Sequence, residues 1–230
     1  MPTLPRTVEQ LVEDQAHRWE QRRDQRHERR LLPVIAISRQ HGAGGSELAR
    51  RLAEELQLDL LDRQIIQQIA ENAHLSERVV QTLDERDRQL LTDWLLAFGS
   101  PGYLSPVGYR DHLTRVVGTI ARHGGAVILG RGAHLILGPH QALRVLVVAP
   151  LEARVATVMR REGLSERDAR RRIAEVEAER AAFLKRHFRA DFADLASFDL
   201  AVNTADLGLD AAVSAIRAAL AGFSARPYAP

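Results

Sequence analysis

From Val34 to Leu56 the chain reads VIAISRQHGAGGSELARRLAEEL. A β-branched apolar run opens it, a turn rich in glycine follows, and Leu48, Leu52, Ala53 and Leu56 then recur on one face of a helix. Strand, glycine-rich turn and helix, in that order, is how a phosphate-binding loop begins. Against the pattern G-x-x-x-x-G-K-[ST] the stretch keeps Gly44 and Ser46 and departs twice. Arg39 stands where the first glycine would be, and Gly45 where the lysine would be.

A phosphate needs several backbone N–H groups pointing inward and a positive field. Small residues let the backbone approach, and the following helix N-terminus adds its dipole. Gly42, Ala43, Gly44 and Gly45 supply the small residues, and Ser46 falls where a loop hydroxyl coordinates Mg²⁺. The lost lysine removes a charge that Arg39 or His41 can replace from within the loop. Glu47 suits a helix N-terminus for dipole reasons alone.

The rest of the chain repeats the alternation. Apolar strand candidates lie at 58–61, 126–130, 143–150 and 199–203. Helical stretches lie between them: Asp62 to about Leu96, His112–His123, Leu151–Arg161, a long Arg-rich helix opened by the capping pair Ser165 and Asp168, and Gly208–Leu220. Strands alternating with helices predict an α/β fold with a mostly parallel sheet. FGSPGYLSPVG (98–108) reads as a long loop. Residues 1–30 read as an appendage: Thr7 caps a helix whose apolar stripe (Leu11, Val12, Ala16, Trp19) soon gives way to EQRRDQRHERR. A solvated helix is the favoured expectation there, and packing against a partner subunit to form a homo-oligomer is the sharper alternative.

Composition narrows the function. The chain has 230 residues, 45% of them hydrophobic, enough for a sizeable core. The absence of cysteine excludes disulfides and cysteine-ligated zinc. No apolar run approaches a membrane span, and the first residues lack a signal core, so a cytoplasmic protein without membrane partners is expected. The net charge is +2, with acids interleaved among the arginines. That disfavours a nucleic-acid partner.

The loop S38-R-Q-H-G-A-G-G-S-E47, followed by Asp62-Arg63, resembles the cytidylate kinase-like family, a divergent branch of the P-loop nucleoside monophosphate kinases. I128-L-G-R-G-A133, V145-L-V-V-A-P-L-E-A-R154 and F198-D-L-A-V-N-T204 resemble further stretches of that family in the same order. The resemblance covers about 33–220. It implies a P-loop NTPase-type three-layer fold, with about five parallel strands flanked by helices. Residues 31–223 would form this domain, with a helical acceptor-binding insertion over 72–122, an Arg-rich lid and following helix over 159–190, and a tail at 224–230.

The function it implies is transfer of a γ-phosphoryl group from ATP, with Mg²⁺, to a nucleoside monophosphate such as CMP. Donor phosphates would sit on the amides of Gly42 to Ser46, beside Ser38, Arg39 and Glu47, with Ser46 on the metal. Asp62 would position a metal water or a nearby Arg, with helix capping as an equal alternative; Arg63 would sit beside it. Gly130 and Arg131 would bind the acceptor phosphate, a task the planar guanidinium suits. Arg110 is a further acceptor-side candidate. Arg160, Arg161 and Arg167 are lid candidates, among which the sequence does not choose. This chain has Gly132 where cytidylate kinases carry an Asp that helps recognise CMP. Two alternatives stay open: a nucleotide-binding regulatory or interaction protein that catalyses weakly, and a kinase for another small acceptor.

Overall fold

The computed structural model describes residues 8–23, 32–98, 108–192 and 194–223. The loop expected at 98–108 and the tail at 224–230 fall almost wholly outside them.

Helix α1 (Val8–Arg23) precedes the alternation β1 (Val34–Arg39), α2 (Gly45–Leu56), β2 (Asp59–Leu61). Three helices follow, α3 (Arg63–Glu71), α4 (Ala73–Gln81) and α5 (Glu85–Phe98), and then α6 (Tyr109–His123). Next come β3 (Ala126–Leu129), the short α7 (Ala133–Ile136), β4 (Leu143–Val148), α8 (Leu151–Glu162) and α9 (Glu166–Phe188). β5 (Leu200–Asn203) and α10 (Thr204–Gly222) close the chain, α10 broken at Gly208. Ser165 caps α9, its side chain accepting from the Asp168 amide, as the sequence predicts.

The sheet order is β2-β3-β1-β4-β5, with every pairing parallel. All five C-terminal ends therefore share one edge. The chain leaves β1 through α2 and returns two places away as β2, with β3 filling the gap. Crevices at such reversals of direction are where open parallel sheets bind ligands.

Strand alternation builds three layers. Val34 and Ala36 face a cluster with Leu61, Ile66, Val116 and Ile128, beneath α3 and α6. Ile35 and Ile37 face the opposite cluster, with Leu48, Leu52, Val145 and Val147, beneath α2 and α10. β1 is thus buried on both sides, which is why VIAI carries no polar alternation.

The reading of residues 1–30 as a solvated appendage is corrected for residues 8–23. Val12, Ala16 and Trp19 are buried in the chain's own core, and Trp19 stacks on His123 with ring centroids 4.5 Å apart. Arg78 of α4 pairs with Glu13 and Glu20, and Gln15 donates to Asp59 at 2.8 Å. Val12, Ala16 and Trp19 of the expected stripe are thus used within the chain. Charge content misled here, because the polar face of α1 is itself engaged in ion pairs across the domain.

Candidate active site

Two unlike surfaces meet at the C-terminal edge of the sheet. The first is the turn between β1 and α2. Gly42 and Gly44 hold left-handed conformations (φ 85° and 74°), and Gly44 caps α2 without any side-chain cap. The first amides of α2 are therefore open to an external anion. Space around the turn is tight. A Cβ on Gly42 would lie 2.7 Å from the Arg154 carbonyl oxygen. Thr204 fixes the other side, its Oγ1 donating to the Ala43 carbonyl at 2.8 Å.

Below the turn lies Arg154, buried at the start of α8. Its guanidinium donates to the Ala149 carbonyl at 3.0 Å and to Glu177 of α9 at 2.6 Å. The same Glu177 oxygen accepts from the His41 amide at 3.4 Å. Burial, and then the Arg180 and Arg161 charges, push the His41 imidazole down to about 4, so it is neutral at pH 7.

The second surface is a cavity of about 290 Å³ between β1, β3, α3 and α9. Register builds it: Ile37 pairs with Leu129, so Ser38 and Arg39 lie beside Gly130 and Arg131. Arg39, Arg63, Arg131 and Arg180 all line it. The Nε atoms of Arg39, Arg131 and Arg180 are shielded from solvent and have no hydrogen-bond partner. Burial first, then the Arg180, Arg63 and Arg131 charges, push Arg39 down to about 9. Burial and Arg63 push Arg180 to about 10, and burial also lowers Arg131. Like charges held together out of water repel one another, and an anion relieves them.

The backbone is strained by this placement. Arg131 is itself left-handed (φ 54°), between Gly130 (φ 84°) and Gly132 (φ 68°). A non-glycine residue held there costs roughly 1 kcal/mol. Arg131 donates to Gln67 Oε1 and lies over the Phe183 ring, 4.8 Å from its centroid.

The two departures from the phosphate-loop pattern belong together. A Cβ on Gly45 would lie 2.6 Å from Arg39 Cβ, and one on Gly130 would overlap Arg39 Nη1. Arg39 runs between these two glycines into the cavity. A lysine at 45 and an arginine at 39 would compete for one space.

The sequence-predicted residues separate accordingly. Arg39, Arg63, Gly130 and Arg131 line the cavity, and Ser38 lies in its wall, bonded through Oγ to His134 Nδ1 at 3.0 Å. Gly42, Ala43, Gly44, Gly45 and Ser46 form the turn and the first residues of α2. Asp62 caps α3, its Oδ1 accepting from the Gln64 and Ile65 amides at 2.8 and 3.0 Å. It also favours the charged form of Arg39. Glu47 is taken up by Arg50 and Arg51 on the surface of α2. Arg160, Arg161, Arg167 and Arg110 are exposed and lie outside the cavity wall, with Arg161 paired to Glu162.

Sequence reasoning left Arg180, Arg154 and Glu177 out of the site. A signal for Arg180 existed: Ala169, Ile173, Val176 and Leu184 are the buried stripe of α9, and Arg180 falls on it. Its Nη1 donates to the Arg39 carbonyl at 2.8 Å.

Mg²⁺ is a cation that keeps several waters and takes one or two protein oxygens plus phosphates. The residues fit this: Ser46 is exposed in the first turn of α2, and the uncapped amides beside it fit a triphosphate. When bound, the ion would neutralise charge on the transferred group.

Parallel sheet, uncapped glycine turn and guanidinium cavity fit phosphoryl transfer, and the chain's family and relatives make it a nucleoside monophosphate kinase-like phosphotransferase. Residues 34–206 match the cytidylate kinase-like family, and the chain belongs to it. The cytidylate kinase of Ignicoccus hospitalis is 29% identical over 81% of this chain and 98% of its own. That of Aeropyrum pernix is 30% identical over 73% and 87%. A crystal structure of an uncharacterized protein from Eubacterium ventriosum shares the fold, with a TM-score of 0.60 at 18% identity over 82% of this chain and 98% of that one.

Proposed function

We propose that the protein transfers the γ-phosphoryl group of ATP, with Mg²⁺, to the phosphate of a nucleoside monophosphate of the CMP kind. The observation that carries this is the meeting, across β1, of an uncapped, glycine-lined helix N-terminus with guanidiniums whose Nε atoms lack partners. Phosphoryl transfer needs placement and charge neutralisation more than covalent chemistry from the protein. The amides of 42–46 would hold the donor, with Ser46 on the metal and Asp62 positioning Arg39. Arg131, Arg63 and Arg180 would hold the acceptor phosphate. Arg39, whose backbone ends β1 and whose guanidinium reaches Gly130, would span the line between them. Relatives bearing the name cytidylate kinase support the reading.

The test is ATP consumption by the purified chain with Mg²⁺ and a panel of nucleoside monophosphates, nucleosides and small metabolites. Turnover with monophosphates and not with nucleosides is expected. ATP binding with turnover on none of the panel would replace the enzyme by a nucleotide-binding regulatory protein.

A further inference from the structure

The turn after β1 is gripped by a helix far along the chain. His41 stands just before the glycines, and both of its backbone groups are held. Its N–H donates to Glu177 Oε1 at 3.4 Å, and its carbonyl accepts from Arg154 Nη1 at 3.4 Å. Arg154 Nη1 and Glu177 Oε1 join at 2.6 Å and close a ring around that one residue. Arg154 also limits the next residue, since its carbonyl oxygen lies 2.7 Å from where a Cβ of Gly42 would be.

α9 meets the same stretch of chain a second time. Arg180 Nη1 donates to the Arg39 carbonyl at 2.8 Å. Residues three apart on a helix are neighbours on its surface, so 177 and 180 present one face to residues 39–41. Their chemistry matches the backbone they meet: a carboxylate on the amide of 41, a guanidinium on the carbonyl of 39. Arg180 lines the cavity, whereas Glu177 lies outside its wall. Glu177 is placed to set the turn, not to touch what the cavity holds.

Grip and charge act in opposite directions at this carboxylate. Glu177 favours the charged form of Arg180, and a negative charge beside an anion site also repels the anion. Removing the charge alone should tighten a phosphate. Removing the grip should loosen it, because amides bind only from the right place.

We propose that Glu177 is a positioning residue for the donor phosphates. Through Arg154 and the His41 backbone it holds the amides of 42–46 in register with Arg180, and its grip outweighs its charge. This rests on the phosphotransferase reading, in which that turn holds ATP.

Calorimetric titration of the full chain with ATP and Mg²⁺ tests it on Glu177→Gln, Glu177→Asp and Glu175→Gln. Glu175 is the control, exposed on the same helix near Arg171. Glu177→Gln keeps the length and loses the charge that holds Arg154. Glu177→Asp keeps the charge and loses the reach. ATP should bind about tenfold more weakly to the first and about threefold or more to the second, and within about twofold of the parent to the control. The KM for ATP should rise in step, with the KM for the monophosphate moving by less than about threefold. A pair that only stabilised the fold would lower the melting temperature and leave ATP affinity alone. Unchanged or tighter ATP binding by folded Glu177→Gln would overturn the proposal. If that variant does not fold, Glu177→Asp at the parent's affinity does the same. Turnover on these preparations separates the two readings. ATP binding that weakens in both variants, with no turnover even in the parent chain, removes the kinase and keeps this inference. Turnover with ATP affinity unmoved in both does the reverse.

Discussion

The glycine turn and the guanidinium cavity, proposed to hold donor and acceptor, lie side by side at one edge of the sheet, yet they are made of different material. The turn is backbone: uncapped amides of α2, two left-handed glycines, and no charged side chain within 42–46. The cavity is side chain: guanidiniums from β1, from the start of α3, from the turn after β3 and from α9. A site of amides depends on where the chain goes, and a site of guanidiniums on which residues arrive. The first should break under small changes of shape, and the second under loss of charge.

Gly42→Ala tests the first half most severely. The new Cβ meets the Arg154 carbonyl in a left-handed conformation, so the backbone itself must move. We expect ATP turnover to fall by more than about 100-fold and stability by about 1–3 kcal/mol. An unchanged KM for ATP in a folded variant would show that the turn does not hold the donor.

Arg39→Ala tests the second half. Its guanidinium lies in the cavity against Gly130, although its backbone ends β1. The loss should be about 100-fold in kcat/KM for the acceptor, with the KM for ATP moving by less than about threefold. An equal rise in the KM for ATP would instead make Arg39 the substitute for the missing lysine. Arg170→Ala is the control: it removes a surface arginine paired with Glu152 and Glu166, and should change turnover by less than about twofold.

Legibility follows the same division. The α/β order, four of five strands within about a residue, and the glycine turn were readable, because backbone sites advertise themselves through glycine and periodicity. The cavity was half readable. Arg131 sat between two glycines at a strand end, whereas Arg180 was hidden among the charges of α9. Only its register with Ile173, Val176 and Leu184 set it apart from Arg160, Arg161 and Arg167. The sequence offers Arg160, Arg161 and Arg167 around the Gly163 turn without choosing among them, whereas the arginine that lines the cavity is Arg180, more than four turns further along.

Ser46→Ala returns to the donor side with a smaller change. In the proposed site the hydroxyl would be one ligand among phosphates and waters, so the Mg²⁺ concentration for half-maximal turnover should rise about tenfold. Saturating Mg²⁺ should restore most of the rate. An unchanged Mg²⁺ dependence would take Ser46 off the metal and leave the turn as a purely amide site.

The effect furthest from the reaction concerns the wall of the cavity. His134 is buried behind Ser38, and burial and then the Arg144 charge push its imidazole from near 6.5 down to about 4. The unfolded chain therefore binds a proton that the folded chain refuses between those values. Stability should be fully present above pH 6.5 and fall as pH drops toward 4, by up to about 3 kcal/mol from this group. Glu47, held near 2 by Arg50 and Arg51, gives its own loss below pH 4.5, so the two windows separate. Thermal melts of the chain and of His134→Gln between pH 4.5 and 7 measure the difference. A flatter profile in the variant is expected. Parallel profiles would mean that the imidazole finds a partner for its proton, and that the wall behind the cavity yields more readily than the guanidiniums in front of it.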